Sequence, residues 1–404
     1  MQDPRLEGHF DRTGTLGLLP LRMPESRQIT RIRDEASQVA QGWSGPDASP
    51  TWQLTASLFR CLADDAELLA LAAEIPPERL PPLLFVASVH RVAMRHRAEP
   101  FAAYFPAAGG DQPPLDHHFA GRYRAFCLEH RDELSGLQSQ RVYQMNEVAR
   151  CTQVALALGA LTQSQPGREL ALVDMGTGSG LGLYLDRYRF TMSDGRGWGP
   201  ADSPVHIDCE LQGPLRPRLP PTPAIRHRAG IDLNPLDLDD PEERAWLTAC
   251  APPEVGALQR LAGAIDVARA GRAPIVRGPA DVHLPEVLGA VPAGLFIAVV
   301  DSYTAVFFDD AELRAVRDVI SRLGRERDVA WVSLDPLVPL GTQAHRTVQD
   351  TEAPEGLVDQ NRQGGVFAAL SVTTYEGGQG PVQLLATAHP SGTRMEWLEA
   401  VSSI

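Results

Sequence analysis

Leu170-Ala171-Leu172-Val173-Asp174-Met175-Gly176-Thr177-Gly178-Ser179-Gly180 is the stretch that decides the fold. Its opening apolar run is too short for a helix and is bounded by turn residues, so it reads as a buried strand. The run ends on an acid and flows into glycines at alternate positions. Such glycines permit positive φ and let backbone N–H groups come close to a ligand. Leu181–Tyr188, which follows, reads as a helix. A dinucleotide fingerprint G-x-G-x-x-G would need glycine at 181, where leucine stands. An ordinary glycine-rich turn is the plain alternative. The strand before, the helix after and the acid at the tip favour a nucleotide-type site.

Outward from this turn, short apolar runs alternate with amphipathic segments. Ala229-Gly230-Ile231 ends at Asp232, Leu295–Val300 at Asp301 and Val329–Leu334 at Asp335, while Ile275-Val276 runs into Arg277-Gly278. Between two of them Leu313, Val316, Ile320 and Leu323 share one helical face, with acids near the start and Gly324 as a stop. Pro241 after Asp240 marks a first helical turn. Strand–helix alternation of this kind predicts an α/β fold, a doubly wound, mostly parallel sheet. Val366–Val372 and Val382–Ala386 flank a glycine-rich turn and predict a closing antiparallel hairpin.

Toward the N-terminus the pattern is helical. Trp52, Ala56, Phe59 and Leu62 share a face, and further helices are predicted over Leu83–His96, Phe119–His130 and a long Glu133–Leu161. The expected organisation is an arm over 1–49, an all-helical domain over 50–162 and the α/β domain over 163–404. The last carries an insertion at about 186–227, in which Val205, Ile207, Cys209 and Leu211 alternate like a strand.

Composition narrows the function. Lys+Arg 37 against Asp+Glu 51 leaves a net charge of −14, which argues against nucleic acid or an anionic membrane as partner. The chain contains no lysine, which excludes a Schiff-base or P-loop lysine. Five scattered cysteines without a CxxC pair predict a reducing, cytoplasmic setting without disulfides. No apolar run reaches the ~18 residues of a membrane span. His117 and His118 are adjacent and His90 and His96 six apart, so no metal site is expected. No G-x-S-x-G elbow is present.

Asp174, Asp232, Asp301 and Asp335 all fall at predicted strand ends, the edge where open α/β sheets bind ligands. Carboxylates repel a pyrophosphate but suit a cation or ribose hydroxyls, which favours S-adenosylmethionine over NAD or ATP. At least two of the four are expected to be helix caps or loop acids.

The motif Asp174-x-Gly176-x-Gly178-x-Gly180, followed by Gly230-Ile231-Asp232-Leu233-Asn234-Pro235, resembles the first two motifs of class I S-adenosylmethionine-dependent methyltransferases. More closely, the chain resembles a large, mostly actinobacterial family of unknown function with a Rossmann-like, methyltransferase-like core behind a helical region. The matching stretches include Ala102-Ala103-Tyr104-Phe105-Pro106, Gln144–Cys151, Leu185-Asp186-Arg187-Tyr188, Val276-Arg277-Gly278 and Glu396-Trp397-Leu398. The resemblance implies that Gly176, Gly178 and Gly180 line the methionine moiety. It implies that Asp174 supports the cofactor's amino group or the loop backbone, and that Asp232 binds the ribose. Two departures stand out. Asp232 follows Asp174 by 58 residues, where about 20 is usual. Gly278 is followed by Pro279 where the family usually has an acid. The insertion is a candidate lid.

For chemistry, Asp301 is a candidate general base, with Tyr303 as hydrogen-bond donor and Glu147 as a further acid–base group. Gln144, Asn146, Arg150 and Arg187 are candidate substrate contacts. On a helix, Asn146 and Arg150 share a face that reaches over the glycine turn, although a salt-bridge network would explain the same residues. The first expectation is a methyltransferase-like enzyme acting on a small molecule, as in secondary metabolism. A second keeps the fold without methyl transfer: ring closure by displacement of sulfate or phosphate, the anion held by Arg150, Arg187 and Arg189, the cofactor lost. A third is a degenerate binding subunit. Whether the chain forms a homo-oligomer or meets a small partner protein stays open.

Overall fold

A computed structural model describes residues 25–44, 52–111, 115–164, 167–219, 223–336, 347–349, 351–362, 367–378 and 380–401. Helices come first: α1 (Glu25–Ser44), α2 (Gln53–Asp64), α3 (Ala66–Ala72), α4 (Pro81–Arg95), α5 (Phe119–Glu129), α6 (Arg131–Gln140) and α7 (Cys151–Ser164). Strand β1 (Leu170–Met175) opens the sheet, and β2 (Arg189–Met192), β3 (Gly197–Trp198) and β4 (His206–Gln212) lead to β5 (Ile225–Asp232). Then come α8 (Pro241–Cys250), α9 (Val255–Gly271), β6 (Ile275–Arg277), α10 (Ala280–Gly289), β7 (Phe296–Ser302), α11 (Asp310–Leu323) and β8 (Val329–Pro336). A ribbon of β9 (Thr347–Val348) and β10 (Thr351–Glu352) and helix α12 (Glu355–Arg362) precede β11 (Ala368–Tyr375), β12 (Val382–Ala388) and β13 (Arg394–Val401).

Among the described residues eleven strands form one sheet in the order β3-β2-β4-β13-β12-β11-β8-β7-β1-β5-β6. The stretch from β6 to β8 is parallel throughout. The turn after β11 gives an antiparallel hairpin with β12, and β13 continues the meander. The fold is therefore a mixed α/β architecture with a large, mostly parallel sheet behind an N-terminal run of helices.

Side chains alternate across each strand, so each face of the sheet packs a core, with a smaller cluster of Phe367, Ala369, Val382 and Leu384 around β11 and β12 among the described residues. Ala171, Val173 and Met175 of β1, Val299 of β7 and Trp331 of β8 face α10 and α11. Leu170, Leu172, Val300 and Val332 face the other way and merge with the helical region in one continuous core, which includes Leu58, Phe85 and Leu156. The helices thus do not close a core of their own. Their apolar faces are completed by the sheet. Helix α7 is buried on all sides from Cys151 to Gly159, as expected of a helix apolar all round. Within that buried stretch the long polar side chain of Gln153 donates to Gly392 O at 3.0 Å.

Several expectations change. Residues 25–44 of the expected arm form helix α1, with Ile32, Ala36 and Ala40 buried at every fourth position; the rest of the arm lies outside the described residues. The predicted long helix over 133–161 is broken: residues 141–147 are extended between α6 and α7. Long-range bonds outcompete helix there, since Tyr143 donates to Cys250 O, Gln144 to Asn234 O and Trp246 to Val142 O. Leu181–Arg187 forms a 3-10 turn rather than an α-helix. The insertion is not a lid. Its strands extend the far end of the sheet, β4 pairing with β13, and its alternating Val205, Ile207, Cys209 and Leu211 are buried.

Candidate functional site

Two cavities meet at the carboxyl ends of the parallel strands, on the helical side of the sheet. The smaller, of about 70 Å3, lies over the glycine turn against Asp174, Gly176, Thr177, Leu181 and Ser302. The larger, of about 470 Å3, lies between α1, α4, the segment after α8 and the ends of β7 and β8. Met145, Asn146, Glu147 and Arg150 line both, so the extended segment before α7 is the partition between them.

The glycine turn is built as its sequence suggests but is filled from within. Gly176, Gly178 and Gly180 all have left-handed φ, of 68°, 59° and 79°, which glycine adopts without strain. Thr177 Oγ1 donates to Asp174 Oδ2 at 2.7 Å, and Gly178 N donates to Asp232 Oδ2 at 2.8 Å. Both acids therefore hold the loop. A Cβ on Gly178 would come within 2.8 Å of Asn146 Oδ1 and 3.3 Å of Gln144 Oε1, and one on Gly176 would overlap the Thr304 side chain. The space in which the methionine moiety of S-adenosylmethionine would lie is occupied by Asn146, Gln144 and Thr304. What remains is about 70 Å3, against the 300 Å3 or more typical of a ligand pocket. The residues present do not fit that cofactor in this conformation.

Strand alternation separates the four acids. Asp174 and Asp232 point to the helical side with the glycine turn. Asp301 shares the opposite face with Val299 and is fully buried, accepting from Trp331 Nε1 at 2.6 Å and Ser333 Oγ at 3.2 Å. It lines neither cavity, which corrects its assignment as general base. Asp335 lies on that same face, accepts backbone N–H groups of Thr304 and Val306, and braces the turn after β7. Burial is the largest cause raising Asp174 to about 7, opposed by the Thr177 bond and assisted by the charges of Asp301 and Asp232. Burial also raises Asp301 to about 6, against its bonds from Trp331 and Ser333.

Of the remaining candidates, Gln144 is spent on Asn234 O at 2.8 Å and lines neither cavity. Arg187 is exposed and lies over the Tyr184 ring at 5.1 Å, away from both, which corrects its assignment as a substrate contact. Arg189 is bonded to Gly199 O. Asn146, Glu147, Arg150 and Tyr303 do converge on the large cavity. Glu147 accepts from Ala149 N at 3.1 Å and pairs with Arg260 at 3.2 Å. Tyr303 has φ of 59°, a strained value for a non-glycine residue, and its hydroxyl is buried without a partner among the described residues. Burial raises that hydroxyl to about 12, so it stays protonated. The Arg150 guanidinium stacks 3.5 Å over the Tyr303 ring.

Sequence reading missed much of the cavity wall. Trp43, Phe59, Leu83, Val86 and Phe367 line it and carry only the signal of core residues. His90 lines it too, its ring stacked on Phe105 at 4.9 Å and its Nδ1 3.2 Å from Ala249 O. Burial lowers it to about 4, leaving it neutral with Nε2 unpartnered among the described residues. Beside the wall, Thr55 N and Oγ1 donate to Glu254, which burial raises to about 7. Among the described residues, His96, His130 and Glu133, and Glu99, Glu129 and His130, lie close enough to hold a metal ion. They sit away from the cavity, and each imidazole already has a carboxylate partner: His96 with Glu133 and His130 with Glu99, both at 2.8 Å.

A bacterial family matches residues 44–397, nearly the whole chain. The chain belongs to DUF2332. That family is described as an uncharacterized protein conserved in bacteria. The DUF2332 match contains the glycine turn, the partition and most of the cavity wall, while Val39 and Trp43 of α1 precede it. No curated protein matches the chain. No described helix is long and apolar enough to cross a membrane.

Proposed function

We propose that the chain is an enzyme acting on a small, largely apolar molecule held in the 470 Å3 cavity, beside the glycine turn rather than in it. The observation that carries this reading is the position of Tyr303. A tyrosine held in a strained backbone conformation at the end of a central parallel strand, its hydroxyl without a partner among the described residues, lies against the 470 Å3 cavity at the ligand-binding edge of the sheet. Glu147, Tyr303 and the neutral His90 are groups there that can move, accept or donate a proton. This proposal shares with the second sequence expectation only the fold kept without methyl transfer; the ring closure in the glycine-turn pocket, with Arg187 and Arg189 on the leaving anion, is not carried over.

The methyltransferase reading is favoured by the strand order. Numbered along the alternating strand–helix part, the parallel strands run 3-2-1-4-5, as in a Rossmann-like sheet, with Asp174 and Asp232 flanking the glycine turn on one face. It requires Gln144, Asn146 and Thr304 to leave the turn. Calorimetric titration with S-adenosylmethionine decides between the two. The expected result is no saturable heat. Micromolar binding that is lost in Gly178→Arg would return the cofactor to the turn and overturn the proposal.

A further inference from the structure

Arg150 has less than a tenth of its surface exposed, yet no carboxylate lies within 4 Å of its guanidinium among the described residues. Its neighbours fix it without neutralising it. Nε donates to Pro390 O at 2.8 Å, Nη2 approaches Met145 Sδ at 2.9 Å, and the plane stacks on Tyr303. Nη1 has no hydrogen-bond partner among the described residues. The acids that share the cavity are engaged elsewhere: Glu147 with Arg260, Glu35 with Arg31 at 2.7 Å. Asp335, at the end of β8, feels the Arg150 charge, but its carboxyl accepts backbone N–H groups of Thr304 and Val306 and makes no contact within 4 Å of the guanidinium among the described residues. His90 is neutral. A buried guanidinium is costly without an opposing charge, so a fixed, unpaired one at the wall of a cavity is a site for an oxyanion.

The rest of the wall sets the body of that ligand. Val39, Trp43, Phe59, Leu83, Val86 and Phe367 are apolar. At roughly 30 Å3 per non-hydrogen atom, the volume of a water molecule in the liquid, the cavity admits about 15 such atoms. We infer that the cavity binds a medium-sized apolar carboxylic acid, its carboxylate on Arg150 and beside the Tyr303 hydroxyl, its body along the α1–α4 wall. This deepens the proposed function and rests on it.

The test uses the full chain and three probes of one length: dodecanoate, dodecanol and dodecyl phosphate, each below its micelle concentration, titrated by calorimetry. Dodecanoate is expected to bind at least tenfold more tightly than dodecanol, the contribution of one charge-assisted hydrogen bond. Arg150→Met, with folding checked by thermal unfolding, is expected to erase that difference, and Arg150→Lys to keep part of it. If Arg150→Met does not fold, the acid–alcohol comparison in the unaltered protein still decides. Equal binding of acid and alcohol would overturn the anion site and leave the cavity reading standing. Tighter binding of dodecyl phosphate would overturn the carboxylate assignment in favour of a phosphate ester. Binding of none of the three would overturn the cavity reading itself.

Discussion

Replacing Asp174 by asparagine tests the account of the glycine turn at its centre. In the folded chain this carboxyl is buried and raised from 3.8 to about 7, with burial as the main cause. A raised folded value means that the folded state holds its proton over a pH range in which the unfolded state has released it. The protonated carboxyl therefore costs nothing extra below the unfolded value. Stability is lost progressively as pH rises from about 4 and is fully lost above about 7. At 1.36 kcal/mol per pH unit the loss is on the order of 4 kcal/mol. Asparagine has the same shape, keeps an oxygen for the Thr177 hydroxyl and does not ionise. The expected outcome is that Asp174→Asn matches the unaltered protein near pH 4 and exceeds it by several kcal/mol at pH 8. Urea unfolding at a series of pH values, followed by tryptophan fluorescence, measures the difference directly. Asp301 and Glu254 titrate in the same direction; Glu254 is common to both proteins and cancels, while the difference includes the repulsion between Asp174 and Asp301. Parallel stability curves, with no pH dependence in their separation, would refute the reasoning. So would a variant less stable at pH 8, which would show that the charge at 174 is wanted, as a bound cation would want it.

Three further outcomes follow from the same geometry. Gly178→Ala places a side chain at a φ of 59° and within 2.8 Å of Asn146; it is expected to lower unfolding free energy by ~1–2 kcal/mol from backbone strain alone, measured by urea denaturation. Trp331→Phe removes the donor to Asp301 Oδ2 and is expected to cost about 1–3 kcal/mol, more at pH 8 than at pH 5 because the carboxyl ionises above about 6; ligand titration should be unchanged, since Asp301 lines neither cavity. Arg187→Ala is exposed and is expected to change stability by less than about 0.5 kcal/mol and dodecanoate affinity not at all, whereas lost affinity would restore it to the site.

The elements that were legible from sequence are those whose signal is local. Asp309 and Glu312 form a capping box at the start of α11, and Asp240-Pro241 opens α8 with the aspartate side chain on Glu242 N; both are written in adjacent residues. The parallel strands were legible because their apolar runs are short and end on acids or glycine. What sequence could not show was the face each acid takes. Asp174 and Asp301 each follow an apolar run, but one lies in phase with Leu172 and the other with Val299, and only the register across the sheet says which phase meets the cavity. The break at 141–147 was hidden for a related reason. Its polar residues are compatible with a solvated helix face, and the carbonyls that draw them out of a helix, on Asn234 and Cys250, are about 90 to 107 residues away. The cavity wall was hidden because a residue that lines an empty space and one that packs against another side chain have the same composition.

The glycine turn and the cavity are one construction seen from two sides. For the chain to keep an enclosed space against Tyr303, something must separate it from the open turn above β1. The extended stretch from Tyr143 to Glu147 does this, and it can lie so close only because position 178 has no side chain. The glycines that invite a cofactor thus admit the chain's own polypeptide instead. Asp232, which would hold a ribose, takes the backbone N–H groups of Gly178 and Asn234. The same stretch ends at the turn that carries Arg150, so the segment closing the turn also delivers the guanidinium to the cavity. A ligand in the turn would have to displace Asn146, four residues before Arg150 in the chain, from Gly178. Met145, Asn146, Glu147 and Arg150 are thus common to the two cavities: what fills the turn and what walls the cavity are one segment of chain.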